Sequence, residues 1–129
     1  MSFIPFPEDT QVLASNPNTP ISSLIELSKH ESLYIRELVA KNPNTPIDIL
    51  KQYSKNEYFH IRANVALNII TPQELLIELS KDKHSYVREH IAYNSNTPLE
   101  ILIELSKDED EYVRMYAKEN RMNRMALLK

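Results

Sequence analysis

The chain has 129 residues, 42% of them hydrophobic, and a formal net charge of −3. That is enough for one domain with a real core, and the mildly acidic balance disfavours a dedicated nucleic-acid binder, which carries a basic excess. Cysteine and glycine are both absent. The first absence excludes disulfides, thiolate catalysis and cysteine-ligated zinc or iron–sulfur clusters, and the second excludes phosphate-cradling loops and the dinucleotide fingerprint.

The opening Met1-Ser2-Phe3-Ile4-Pro5-Phe6-Pro7 has no basic stretch followed by an apolar one, so no signal peptide is expected. No apolar run reaches membrane-spanning length, so a cytoplasmic chain without membrane contact is expected. Residues 1–12 read as an N-terminal cap. Phe3, Ile4 and Phe6 are expected to cover the first apolar flank, and Pro7-Glu8-Asp9 to open a lone helix.

Residues 13–120 then repeat with a fixed step. Asn16, Asn42, Asn68, Asn94 and Asn120 are each 26 residues apart, and Thr19, Thr45, Thr71 and Thr97 keep the same interval. Leu24, Leu50, Leu76 and Leu102 follow it, as do the columns beginning at Pro20, Ser28, Lys29 and Arg36. Internal repetition at this period is the mark of a solenoid. Each unit reads as two short helices. The Thr-Pro pair opens the first, with threonine as N-cap and proline at the first helical position. In the fourth unit Leu99, Leu102, Ile103 and Leu105 are expected to form its apolar face. Ser106-Lys107-Asp108 makes the turn. The second helix runs through Tyr86-Val87-Arg88 to Ile91-Ala92-Tyr93 and ends at the asparagine column, a residue that tolerates the left-handed conformation. The alanine column Ala14, Ala40, Ala66 and Ala92 is expected at the closest helix–helix approach. Residues 121–129 read as a half-unit that closes the stack, with Asn123 in the threonine column and Leu128 in the leucine column.

The motifs Asn16-Pro17-Asn18-Thr19-Pro20 and Asn42-Pro43-Asn44-Thr45-Pro46, with Leu24…Leu27-Ser28 and Tyr86-Val87-Arg88…Ile91-Ala92, resemble the leucine-rich repeat variant family and, more distantly, HEAT repeats. The resemblance covers about residues 12–120. It implies a right-handed all-α superhelix of short paired helices, alternating α and 3₁₀, with no β-sheet. The third unit departs from it, with Ile69-Ile70 in place of Pro-Asn. One branch of that family carries an iron–sulfur centre on a cysteine cluster; with no cysteine here, that property does not carry over. HEAT-like units place an Asp six residues before an Arg as a ladder between units. Asp82–Arg88 and Asp108–Arg114 match, whereas His30 and Asn56 stand ahead of Arg36 and Arg62.

Residues at i, i+4 and i+7 of the second helices share a face. That face reads Tyr34, Leu38, Lys41; His60, Asn64, Leu67; Tyr86, His90, Tyr93; and Tyr112, Tyr116, Glu119. Tyrosine and histidine combine apolar area with a polar tip and suit contact surfaces. The candidate binding surface is therefore Asn64, Tyr86, His90, Tyr93, Tyr112 and Tyr116. The near-uniform column Tyr34, His60, Tyr86, Tyr112 also fits packing between units, the commoner fate of aromatics at helical spacing. The varying positions His90, Tyr93 and Tyr116 fit recognition better.

Competing chemistries read as structure. The uniform arginines suit pairing with Asp more than phosphate binding. Asp108-Glu109-Asp110-Glu111 lacks the ligand spacing of a calcium loop and suits a helix start. The four histidines, with His30 and His84 expected in exposed turns, include no i, i+4 pair for zinc. Catalysis needs an asymmetric cluster that a repeated serine column is not. The expectation is a non-enzymatic, cofactor-free scaffold that binds a protein or peptide. The alternatives are an accessory subunit of an iron–sulfur, nitrogen-fixation or bilin-lyase system, suggested by the resemblance; nucleic-acid backbone binding through the arginines; and weak self-association through a solenoid end.

Overall fold

A computed structural model describes residues 7–128, with side chains from Asp9 onward. The segment with Phe3, Ile4 and Phe6 lies outside the described residues. Among the described residues the regular structure is all helical, with no strand. The order is α1 (Pro7–Ser15), α2 (Ile21–Leu27), α3 (Leu33–Lys41), α4 (Ile47–Tyr53), α5 (Phe59–Leu67), α6 (Gln73–Leu79), α7 (Ser85–Tyr93), α8 (Leu99–Leu105) and α9 (Glu111–Leu127). No described helix is long and apolar enough to cross a membrane. The short first helices are α rather than 3₁₀, because their amides reach back four residues, as from Leu24 to the Pro20 carbonyl at 3.1 Å.

Seven-residue helices are unstable alone, so packing must hold them. The odd-numbered helices form a row, α1 against α3, α3 against α5, α5 against α7 and α7 against α9. Each of α2, α4, α6 and α8 lies against the odd helices before and after it. Leu24, Leu50, Leu76 and Leu102 are fully buried, as are Ala14, Ala40, Ala66 and Ala92. Each buried leucine contributes up to about 2 kcal/mol. Leu99 and Ile103 leave the face assigned to them: Ile101, Leu102 and Leu105 are buried, and those two are exposed.

The threonine and asparagine columns do different work from that expected. No side chain caps α2, α4, α6 or α8, and proline is the N-cap residue. The threonine hydroxyl instead donates six residues back, from Thr45 to the Val39 carbonyl at 2.6 Å and from Thr71 to that of Val65 at 2.6 Å. It ties the end of one second helix to the start of the next first helix. Asparagine makes no left-handed turn, since no described residue has positive φ. Asn42 ends α3 in extended backbone, at φ −70° and ψ 126°. Its value lies in the side chain. Asn68 Nδ2 donates to the carbonyls of Ala40 (2.9 Å) and Asn42 (3.1 Å), and its Oδ1 accepts from Ile70 N–H at 3.0 Å. Asn42, Asn94 and Asn120 make the same pair of donations, each to the unit preceding its own. A carboxylate could not donate and an apolar side chain could do neither, which explains the constancy of the column.

The arginine ladder exists with a different pairing. Arg62, Arg88 and Arg114 each hold their own unit's turn through a backbone carbonyl, Arg62 Nη1 to Asn56, Arg88 Nη1 to Asp82 and Arg114 Nη1 to Asp108, each at 2.7 Å. For Arg62 and Arg88 an ion pair also reaches forward into the next unit. Arg62 Nε and Nη2 meet Asp82 at 2.8 and 3.1 Å, and Arg88 meets Asp108 at 2.9 and 3.1 Å. The same aspartates accept from the turn amides of His84 and Asp110. At the first rung Asn56 replaces the acid. Its Oδ1 takes the Tyr58 amide, and Arg36 is left with a buried Nε lacking a hydrogen-bond partner and its guanidinium 5.9 Å from the Tyr58 ring.

The C-terminus is one continuous helix. Arg121-Met122-Asn123-Arg124 replaces Pro-Asn-Thr-Pro, so nothing breaks α9 at Asn120, and it runs 17 residues. Residues 121–128 thus continue α9 instead of opening the separate half-unit expected for 121–129; Asn123 caps no helix and Leu128 is exposed. The end is covered by arginines instead: Arg124 donates to the carbonyls of Thr97 and Asn94, and Arg121 to the Ser106 hydroxyl. Burial holds the Arg124 pKa below the usual arginine range.

Candidate binding surface

The contact column of the second helices is exposed. Tyr34, Tyr86 and Tyr112 keep 52%, 38% and 54% of their surface, and His60 is exposed as well. Packing between units, the structural alternative for this column, does not bury it. The cause is the register: Ile35, Ile61, Val87 and Val113, one position on, already fill the space between helices.

Two aromatic groups stand on this row. In the first, Phe59 at the start of α5 stacks on His84 at 3.8 Å with a 7° interplanar angle. Tyr86 meets His60 edge-on at 5.6 Å and His90 at 4.5 Å. His90 Nδ1 lies 2.8 Å from the Tyr86 carbonyl, which fixes the ring against its own helix. His84 and His30 are half-buried rather than free in exposed turns, and each accepts a backbone amide at Nδ1, from Tyr86 at 3.1 Å and Ser32 at 2.9 Å.

The second group is Tyr93 and Tyr116, edge-to-face at 5.8 Å and 86°. They line a cleft of about 580 Å³ between the ends of α5 and α7 and the second half of α9. Leu67, Ile69 and Leu127 supply apolar walls, and Ser95, Glu119 and Asn123 supply polar ones. Of the candidate residues, then, Tyr93 and Tyr116 are brought together, and Tyr86 and His90 form a separate pair. Tyr112 makes no ring contact among the described residues. Asn64 is spent on structure, because its Nδ2 donates to the Glu37 carbonyl at 3.1 Å.

No known family matches this chain. No curated protein and no solved structure matches it at a significant level. Among the described residues no three His, Asp or Glu side chains converge as metal ligands. The serine column is committed to local bonds, Ser54 to the Lys51 carbonyl and Ser80 to that of Ile77, each at 2.6 Å.

Two features escaped the sequence reading. Ile69 and Leu127 line the cleft, and the signal was the loss of proline at positions 69 and 124, which exposes one and extends the helix bearing the other. The second is a row of exposed aliphatic side chains on the first helices, Ile21, Ile25, Ile47, Ile77, Leu99 and Ile103. Counting the buried leucine column before assigning a face would have set these apart.

Proposed function

We propose that this chain is a non-enzymatic solenoid scaffold, a right-handed stack of 26-residue units of the kind the leucine-rich repeat variant resemblance implies, that binds a protein or peptide partner on its second-helix surface. The observation that carries this reading is the Tyr93–Tyr116 cleft, an exposed concave site with aromatic, aliphatic and polar walls. Tyrosines in such sites contribute large contact area at low entropic cost and dominate binding energy. The Tyr86–His60–His90 group extends the same row and lengthens the surface for a partner. Columns that hold units together are uniform, whereas His90, Tyr93 and Tyr116 have no counterpart of the same type in the first two units.

Nucleic-acid backbone binding finds less support. Arg62 and Arg88 are nearly buried and already matched with Asp82 and Asp108, so they offer little free charge to phosphate.

The test is affinity capture from source-cell extract with the wild type and with a His90→Ala/Tyr93→Ala/Tyr116→Ala variant of unchanged circular dichroism. A specific protein retained by the wild type and reduced on the order of tenfold or more with the variant is expected, since each interface tyrosine is worth roughly 1–2 kcal/mol. Equal capture by both would remove this surface from the function.

A further inference from the structure

The Tyr93–Tyr116 cleft lies at the α9 end of the row, and an uncharged, apolar stretch of sequence leads into the other end. In the cleft Tyr93 and Ile69 are each 63% exposed and Leu127 is 85% exposed. Its walls carry one acid, Glu119, and one base, Arg124. Arg124 already gives Nη1 and Nη2 to the carbonyls of Thr97 and Asn94. Charge therefore selects little here, and the aromatic and aliphatic walls choose the occupant.

The stretch is Phe3-Ile4-Pro5-Phe6-Pro7, which holds two of the chain's three phenylalanines. A following proline disfavours helical backbone at Ile4 and at Phe6. Segments of that kind lose little freedom on binding and dock in grooves lined by aromatic rings. Its own first unit offers it little: among the described residues α1 exposes one large apolar side chain, Val12. Its own cleft is out of reach. Phe3 to Pro7 spans at most about 14 Å of extended chain. From α1 the row runs through α3 and α5 to α7 and α9, three and four steps of about 8–10 Å each. Pro7 also starts its helix, whereas Leu67 and Tyr93 end theirs.

We propose that the cleft takes the Phe3–Pro7 segment of a second copy of this chain, with phenylalanine rings against Tyr93 and Tyr116 and the aliphatic walls of Ile69 and Leu127. The inference rests on the reading of the cleft as a protein- or peptide-binding site, and it names one occupant. Each copy carries one segment and one cleft at opposite ends. Two antiparallel copies can therefore exchange segments and close, or copies can run on as an open row. Apolar burial supplies the affinity. The same contact regulates the site, because a docked segment and a foreign partner exclude each other from one cleft.

The test is sedimentation equilibrium of the full chain over a wide range of concentration. The wild type is expected to gain mass as concentration rises. Phe3→Ser/Phe6→Ser and Tyr93→Ala/Tyr116→Ala are each expected to weaken association on the order of tenfold or more. The first variant keeps the cleft and the second keeps the segment, so a mixture of the two is expected to associate at concentrations where neither does alone. A peptide of residues 1–7 added to Phe3→Ser/Phe6→Ser is expected to shift the amides of Tyr93, Tyr116 and Leu127, and the same peptide with serine for both phenylalanines is expected to shift none. Unchanged circular dichroism verifies the fold of each variant. Association that survives Tyr93→Ala/Tyr116→Ala, or a mixture that stays monomeric, would overturn the proposal. So would a wild type that is monomeric throughout; if Phe3→Ser/Phe6→Ser then melts earlier, the segment belongs to its own first unit. None of these results decides whether the cleft captures a foreign partner, which the extract experiment reads separately.

Discussion

Asn68→Ala is expected to lower the stability of the chain by about 3 kcal/mol, seen as an earlier urea midpoint. The side chain is 4% exposed and makes three hydrogen bonds, two of them to carbonyls of the preceding unit. Truncation leaves the Ala40 and Asn42 carbonyls and the Ile70 amide without that partner in a dry seam, at about 1 kcal/mol each. The column supplies its own control. Asn16 occupies the same position at the front of the row, is exposed, and among the described residues its side chain receives one hydrogen bond, from the Asn18 amide at 2.9 Å. Asn16→Ala is expected to cost less than about 1 kcal/mol. Equal losses at the two positions would show that the asparagines act within a unit rather than between units.

Asp82→Ala is expected to cost about 3 kcal/mol or more, because it strands a guanidinium. Arg62 is 7% exposed and directs Nε and Nη2 at that carboxylate. The converse change completes the ladder: Asn56→Asp places an acid 20 residues on from Arg36, in the position Asp82 holds for Arg62, and Arg36 has a buried Nε without a partner, so the change is expected to raise stability by about 1 kcal/mol. The same rungs set the acid limb of stability. Burial pushes Asp82 and Asp108 upward, but hydrogen bonds from Arg62 and Arg88 and from the turn amides outweigh it and hold both below the usual carboxylate range. Carboxyl groups depressed in the folded state stabilise it fully above their unfolded pKa of about 4, and that contribution drains away as pH falls through the folded value. Urea midpoints should therefore be flat from pH 7 to about 5 and fall below about 4. The fall should be shallower in Asp82→Ala, and Asn56→Asp should lose its added stability in the same window.

Much of this was legible in the sequence, for a physical reason. A repeated unit samples each structural demand several times, so Leu24, Ala40 and Asn68 announce buried columns by recurrence alone. What recurrence cannot show is which bond a polar column makes. Thr45 reads as an N-cap by local preference, but its hydroxyl reaches the Val39 carbonyl because the chain folds back there. Asn42 reads as a left-handed helix end, yet its constancy comes from carbonyls 26 and 28 residues away. The Asp-before-Arg spacing pointed to the ladder and to the wrong partner, because the pair closes 20 residues forward. Tyr86 looked like packing because aromatics at helical spacing usually are, and Val87 had already taken the buried position. The cleft depends on α9 continuing past Asn120, a consequence of prolines that are missing rather than of residues that are present.

The most direct test of the stacked-unit architecture is equilibrium unfolding of a chain lacking residues 69–94. Joining Asn68 to Ser95 keeps every column in register. Arg62 then faces Asp108 in place of Asp82, and Asn120 can donate to the Ala66 and Asn68 carbonyls in place of those it uses now. The stack predicts unchanged ellipticity per residue and one cooperative urea transition, with a slope smaller by roughly a fifth in proportion to the surface removed. A shortened chain that loses its helicity or unfolds without cooperativity would contradict it, because interchangeable units survive the loss of one and a single interlocked core does not.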